Sequence, residues 1–207
     1  AVALDEYAAS RPAAAARSVS EFLDRYPGHK SRGHAFFLLA QCRLRKAHPE
    51  GDADRHALAL DALHGAEAEG YSPAEVRAKR LEVARLLHDQ GALRDALGEL
   101  ESLSVADASL HLEVAKTAEE LIDEVDPARV AAVAAAALVP PGPAAALQRL
   151  SALQRAMRSP MLEKALAALE KYARDGGEDA HLDALARRGS LYLRRRFYAE
   201  AIDALTA

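Results

Sequence analysis

Tryptophan is absent from the 207 residues, aromatic residues make up only 5%, and there are two methionines and one cysteine. A core without large rings must be filled by alanine and leucine, and small side chains let helices approach closely. The lone Cys42 excludes an intramolecular disulfide framework and says little about compartment. An excess of basic charge is missing as well. The 27 Lys and Arg against 31 Asp and Glu leave a formal net charge of −4, which gives no global drive toward nucleic acid. The longest apolar run, Val130 to Val139, lies between Arg129 and Pro140 and falls far short of the ~20 residues of a membrane span. No direct membrane span is expected, and 28% charged residues argue against both a membrane class and wholesale disorder. No signal peptide is visible, and the chain opens at Ala1 without an initiator Met, which leaves room for an upstream segment cleaved or left out.

No stretch alternates apolar and polar residues as a half-buried strand does, and helix signals run from end to end. Ser72-Pro73-Ala74-Glu75 is a capping box with Pro at the first helical position, and Asp126-Pro127 and Ser159-Pro160 repeat the cap-plus-Pro theme. Breakers fall at Pro27-Gly28, Pro49 to Gly51, Gly70, Gly91, Pro140 to Pro143 and Gly176-Gly177. The reading is all-α, with about eleven helices. They are expected over 11–26, 32–46, 53–69, 73–89, 92–103, 107–124, 127–138, 143–157, 160–174, 179–195 and from 198 to the end. Short loops between short helices require antiparallel neighbours.

The apolar pattern repeats. In a unit opened at Leu182, Leu185, Gly189, Tyr192, Ala201 and Leu205 occupy positions 4, 8, 11, 20 and 24. In a unit opened at Arg77, Val83, Ala84, Leu87, Gly91, Ala96, Leu100 and Leu103 occupy positions 7, 8, 11, 15, 20, 24 and 27. Small residues at 8 and 20 let the two helices of a unit touch, while 4, 7, 11 and 24 fill the seam. Ala84 and Gly189 stand 105 residues apart, which is three units of 35. The copies between are degenerate, one around Ala118 with Pro127 to Leu138, one around Ala152 with Ala165, Leu169 and Tyr172. The step from Ala40 to Ala84 is 44, and the surplus is placed at Ala47 to Arg55.

These residues resemble tetratricopeptide repeats, clearly at 77–103 and 182–205 and loosely across the chain. The stretch Ala14 to Gln41, with Phe22-Leu23-Asp24-Arg25-Tyr26-Pro27 closing one helix and Ala35 to Gln41 opening the next, is similar to repeats of bacterial cell-envelope scaffolds. The same style occurs in the helical superstructure of lytic transglycosylases. The resemblance implies a single domain over 1–207, a right-handed α-solenoid of antiparallel helix pairs whose first helices line a concave, partner-binding groove. Two departures stand out: Trp is missing from position 4, and position 4 of the Arg77 unit is Arg80.

In this repeat type positions 2, 5, 9, 12 and 13 point into the groove. They give His34, Phe37, Gln41, Leu44 and Arg45; then Ala78, Leu81, Arg85, His88 and Asp89; then Asp183, Ala186, Ser190, Leu193 and Arg194. Phe37, Leu81 and Leu193 are expected to supply contact area, and Arg45, Arg85 and Arg194 charge, for a protein or peptide carrying some acidic residues. Gln41, His88 and Ser190 complete the expected partner-binding set. The dicarboxylate clamp of chaperone-binding members needs Lys and Asn where this chain has Leu81 and Arg85, or Ala186 and Ser190.

Signals of chemistry are sparse. Phosphate loops, dinucleotide fingerprints, metalloprotease helices, nucleophile elbows and Cys pairs are missing from the sequence. Glu101-Ser102 matches two letters around a transglycosylase's catalytic acid but lacks the Gly-Leu-Met-Gln that follows there, so Glu101 reads as a solvated helix-end glutamate. His48, His56 and His64 are eight apart, which offers no converging ligand pair, and they read as surface and groove histidines. The arginines at 187, 188 and 194–196 read as a solvated face. The leading function is a non-catalytic interaction scaffold with neither metal nor cofactor. Its rivals are the non-catalytic helical part of a larger cell-envelope hydrolase, and a nucleic-acid-binding repeat, which the acidic net charge disfavours. The resemblance favours the cell envelope or periplasm, with the cytoplasm as the other compartment. The unit opened at Leu182 stops at position 26 of about 34. The chain therefore reads as a fragment of a longer array, with Ile202, Leu205 and Leu191 short of cover.

Overall fold

The computed structural model describes residues 2–45, 52–123, 131, 134, 135 and 159–206. Those residues are all-helical, with ten α-helices and two 3-10 turns. They cluster into two compact units, residues 1–99 and 100–207.

In the first unit, α1 (Val2–Ala8), α2 (Pro12–Arg25), α3 (Arg32–Leu44), α4 (Asp52–Ala68) and α5 (Pro73–Asp89) each pack against the next. Helix α6 (Leu93–Ser104) follows. The second unit has a 3-10 turn at Ala108–Leu110, α7 (His111–Glu120), a second 3-10 turn at Leu121–Asp123, α8 (Pro160–Asp175), α9 (Gly177–Arg194) and α10 (Tyr198–Thr206). There α7 packs on α8, α8 on α9 and α9 on α10.

The sequence reasons for these elements are local. Helix α2 opens with Pro12 at its first turn and buries Ala15, Ala16, Val19 and Leu23 at helical spacing. Pro27 then bars its continuation. Helix α8 is capped by Ser159, whose Oγ accepts the Leu162 N–H at 3.1 Å. It buries Leu162, Ala165, Ala168 and Leu169, and each leucine contributes ~1.5–3 kcal/mol. The expected capping box at Ser72 does not form. Ser72 makes no side-chain cap bond, and Glu75 instead accepts the Tyr71 hydroxyl at 3.2 Å.

Helices expected over 11–26, 32–46, 53–69, 73–89, 92–103, 160–174, 179–195 and from 198 are present within two or three residues of those bounds. The stretch 107–124 is a helix flanked by two 3-10 turns. The sequence reading missed α1, a seven-residue helix with neither Pro nor a capping side chain to announce it. Most of 127–138, all of 143–157, the Asp126-Pro127 cap, His48 and most of the surplus at 47–55 lie outside the described residues.

The small-residue positions are buried as expected: Ala40, Ala84, Ala96, Ala118 and Ala201 are all 0% exposed. A Cβ on Gly189 would stand 2.5 Å from Leu205 Cγ, and one on Gly65 would stand 2.8 Å from the Phe36 ring. A side chain at either position would displace the neighbour it meets, the Phe36 ring or the Leu205 side chain.

Arg80, at the position where the repeat calls for a large apolar residue, is buried and paired. Its Nε donates to Glu99 and its Nη1 to Glu67, while Glu99 also meets His64 Nε2 at 3.1 Å. Arg80 and Glu99 are each 6% exposed. Such a pair is costly to break from one side only. Arg80→Ala is expected to lose ~3–5 kcal/mol in urea unfolding, whereas the double replacement Arg80→Leu with Glu99→Leu recovers most of that loss. Equal losses in both variants would contradict this account.

Candidate functional site

The expected groove residues fall on three helices. On α5, Ala78, Leu81, Arg85 and Asp89 recur at helical spacing and, with Glu82 and Leu86, line a shallow depression of about 350 Å³. Ala78, Arg85 and Asp89 are exposed, and Leu81 and His88 half-buried. The His88 ring nitrogen lies 3.8 Å from the Asp89 carboxylate.

On α3 the expected set divides. Gln41 and Arg45 are half-buried, but Phe37 is a core residue at 8% exposure, its ring 4.9 Å from that of Tyr71. The expectation that Phe37 offers contact area to a partner is therefore corrected. The loop at Tyr71 folds over the start of α3, stacking its ring on His34 at 5.6 Å and closing Phe37 in. Burial, then the Glu75 carboxylate that accepts its hydroxyl, raises the Tyr71 pKa above the ordinary phenol value. Arg45 sits 3.9 Å over the Tyr7 ring and donates to the Tyr7 carbonyl at 3.4 Å.

On α9, Ser190 and Leu193 are exposed, and Leu193 keeps 46% of its surface. Arg194 is ion-paired with Glu119 of α7, and the two border a hollow of about 300 Å³ with Ile122, Leu191 and Arg195. Arg45 and Arg194, expected as groove cations, are thus each engaged inside their own unit. Leu191, expected to lack cover, is buried at 2%, while Ile202 and Leu205 remain 61% and 54% exposed.

The larger opening was not anticipated from the sequence. A cleft of about 680 Å³ lies in the first unit where α1 starts, α2 ends and α3 starts. Helix α1 contributes Ala3 and Leu4, and α2 contributes Ser18, Val19, Phe22 and the following Tyr26. The other wall is His29, Ser31, His34, Ala35 and Leu38. Phe22, Tyr26 and His29 form an aromatic cluster, with Phe22 5.4 Å from Tyr26 and 5.2 Å from His29. His29 Nδ1 accepts the Ser31 N–H at 3.1 Å, which fixes that ring. The Phe-Leu-x-x-Tyr-Pro run was the available signal, read as a helix end and as part of the repeat resemblance rather than as the wall of a cleft.

No known protein family, curated protein or solved structure matches the chain.

Elsewhere the candidates for chemistry have structural partners. Both Glu101 carboxylate oxygens lie 2.6 Å from Lys164 Nζ. His56, read as a surface histidine, is 2% exposed and meets the Gln90 amide oxygen at 2.8 Å. His111, also buried, meets Asp175 at 3.4 Å. Among the described residues no group of three or more His, Cys, Asp or Glu side chains is placed to hold a metal, and no helix is long and apolar enough to cross a membrane.

Cys42 is fully buried in α3, and burial lifts its pKa from 9.0 to about 11 despite the lowering influence of Arg45 and Arg43. The native state thus holds a proton that the unfolded chain gives up first. The stability this confers is complete below pH 9.0 and lost as pH rises through about 11. Cys42 is expected to resist a thiol reagent at pH 8 in native protein and to react fully in urea. Rapid native labelling at that pH would refute its burial.

Proposed function

We propose that this chain is a non-catalytic interaction module, built of tetratricopeptide-type helix pairs, that holds a segment of another protein against its first helices. The observation that carries this reading is the outward strip of α5. Ala78, Leu81, Arg85 and Asp89, chosen from repeat position alone, line one continuous surface depression and leave a cation and apolar area together. A half-buried leucine beside an exposed arginine is the composition from which binding anchors are made. Position 4 of that repeat, held by the buried Arg80 pair, keeps α5 fixed while its opposite side stays available.

The test is affinity capture from a lysate of the source organism, with bound proteins quantified by mass spectrometry. Wild-type chain, Leu81→Glu with Arg85→Glu, and Arg94→Glu on α6 serve as baits of equal helicity. A specific partner should be retained by wild type and by Arg94→Glu, and lost ~10-fold or more by the α5 double variant, with the loss shrinking in high salt. A partner that depends on Arg94 rather than on Leu81 and Arg85 would move the binding face off the first helices.

A further inference from the structure

We infer that the α5 strip of Ala78, Leu81, Glu82, Arg85, Leu86 and Asp89 pairs with the same strip of a second copy of this chain. The two helices run antiparallel about a two-fold axis, so the face is open to another protein only in the monomer. This rests on the reading that the strip is a binding face, and adds what regulates access to it.

The spacing sets the register. Positions 78, 81, 82, 85, 86 and 89 line the depression, and their steps of 3, 1, 3, 1 and 3 read the same from either end. Turned end for end about the midpoint of Val83 and Ala84, the strip therefore meets itself in step, as a two-fold contact requires. Val76, Val83, Ala84 and Leu87 are buried and hold α5 from its other side. Helical spacing puts Ala78, Glu82, Arg85 and Asp89 along the seam, with Leu81 on one flank and Leu86 on the other. Glu82 then shares a layer with Arg85 of the second copy, and Ala78 shares one with Asp89. Leu81 and Leu86 each meet their own counterpart and shield the charged layers from water.

The charges select a second copy. A strip of one sign takes any partner of the other sign, but this one carries Glu82 and Asp89 beside Arg85, all three exposed. A uniformly acidic segment is repelled by the two carboxylates, and a uniformly basic one by Arg85. The fitting occupant presents the reverse order of signs, and the strip itself, turned round, has that order. Glu82 faces Arg85 twice across the axis, and Asp89 faces the neutral Ala78, so no layer opposes like charges. Contacts within one copy, such as Lys79 Nζ to Glu82 at 2.6 Å, do not prevent this, because exposed ion pairs hold weakly and exchange partners. One helix face is smaller than the ~800 Å² per partner of a standard interface, which sets a weak, reversible dimer with a Kd of ~10–100 µM.

Sedimentation equilibrium of the chain tests the pairing. Wild type should form dimers, and Glu82→Arg and Arg85→Glu should each raise the Kd ~10-fold or more at low salt, since each sets like charges opposite one another twice. An equimolar mixture of those two variants should dimerise again, because every charged layer between them pairs opposite signs. Glu82→Arg with Arg85→Glu in one chain should dimerise as wild type does, although it presents reversed charges to any other protein. Both side chains are exposed, so these variants keep the fold, which circular dichroism checks. A wild type that stays monomeric at ~0.5 mM overturns the inference while leaving the α5 reading to its own capture test. Dimers that survive unchanged in both single variants, or that the mixture fails to restore, overturn it too. Dimers lost through Ile202→Glu but not through Arg85→Glu assign the contact to α10, with the same consequence.

Discussion

Close approach of helices through alanine and glycine is the constraint on which the rest of this structure depends. Ala15, Ala40, Ala59, Ala66, Ala84, Ala96, Ala118, Ala165 and Ala201 are all 0% exposed, and a Cβ on Gly65 or Gly189 would displace the side chain it meets. A seam of this kind gains its stability from many short contacts rather than from a few large side chains. It is intolerant in a specific way. Enlargement at the buried alanines forces side chains off their rotamers or shifts the backbone, at ~1–3 kcal/mol.

Narrow seams have a second consequence. Alanine fills little volume, so the places where helices diverge must be closed by something larger, and with Trp absent and few aromatics the chain uses what it has. Phe37 and Tyr71 close the junction of α3 with the loop before α5. Arg80 closes the space between α5 and the helix carrying Glu99, with its charge answered by two carboxylates. A buried ion pair of this kind is a weak source of net stability, but it accepts only one register, because a slip by one residue would leave Glu99 buried without its cation. Apolar seams of near-identical alanines discriminate registers poorly, and the polar closure supplies what they lack.

This explains which features were legible in the sequence. Helix bounds were readable because Pro and Gly act through backbone geometry that needs no tertiary context. The small-residue positions were readable because a repeated seam leaves a repeated pattern. Phe37 was assigned outward because its repeat position says so, yet the Tyr71 ring, 34 residues later, turned it into core. Arg45 and Arg194 were assigned to a groove as free charges, and each found a neighbour, Tyr7 and Glu119, that only folding brings near. The capping box at Ser72 failed for a related reason, since Glu75 had a competing donor in the Tyr71 hydroxyl. In each case the local rule was sound, and a contact distant in sequence, or a competing side chain, outweighed it.

The cleft was illegible for another reason: its walls come from three helices that no local signal links. The seven described residues of α1 would not hold as a helix in isolation. It is stable here because Tyr7 lies under Arg45 and Glu6 meets Ser18. Both anchors lie in its C-terminal half, so Ala3 and Leu4 reach the cleft without a side-chain bond of this kind to hold them. Phe22, by contrast, belongs to a helix that Val19 and Leu23 fix in the core. One wall of the cleft is therefore set in the core, and the other is held by side chains from one end only. Val19 and Leu38 belong at once to the cleft wall and to the core behind it. Arg25 and Lys30 nearby carry their charges on exposed side chains, at little cost to the fold.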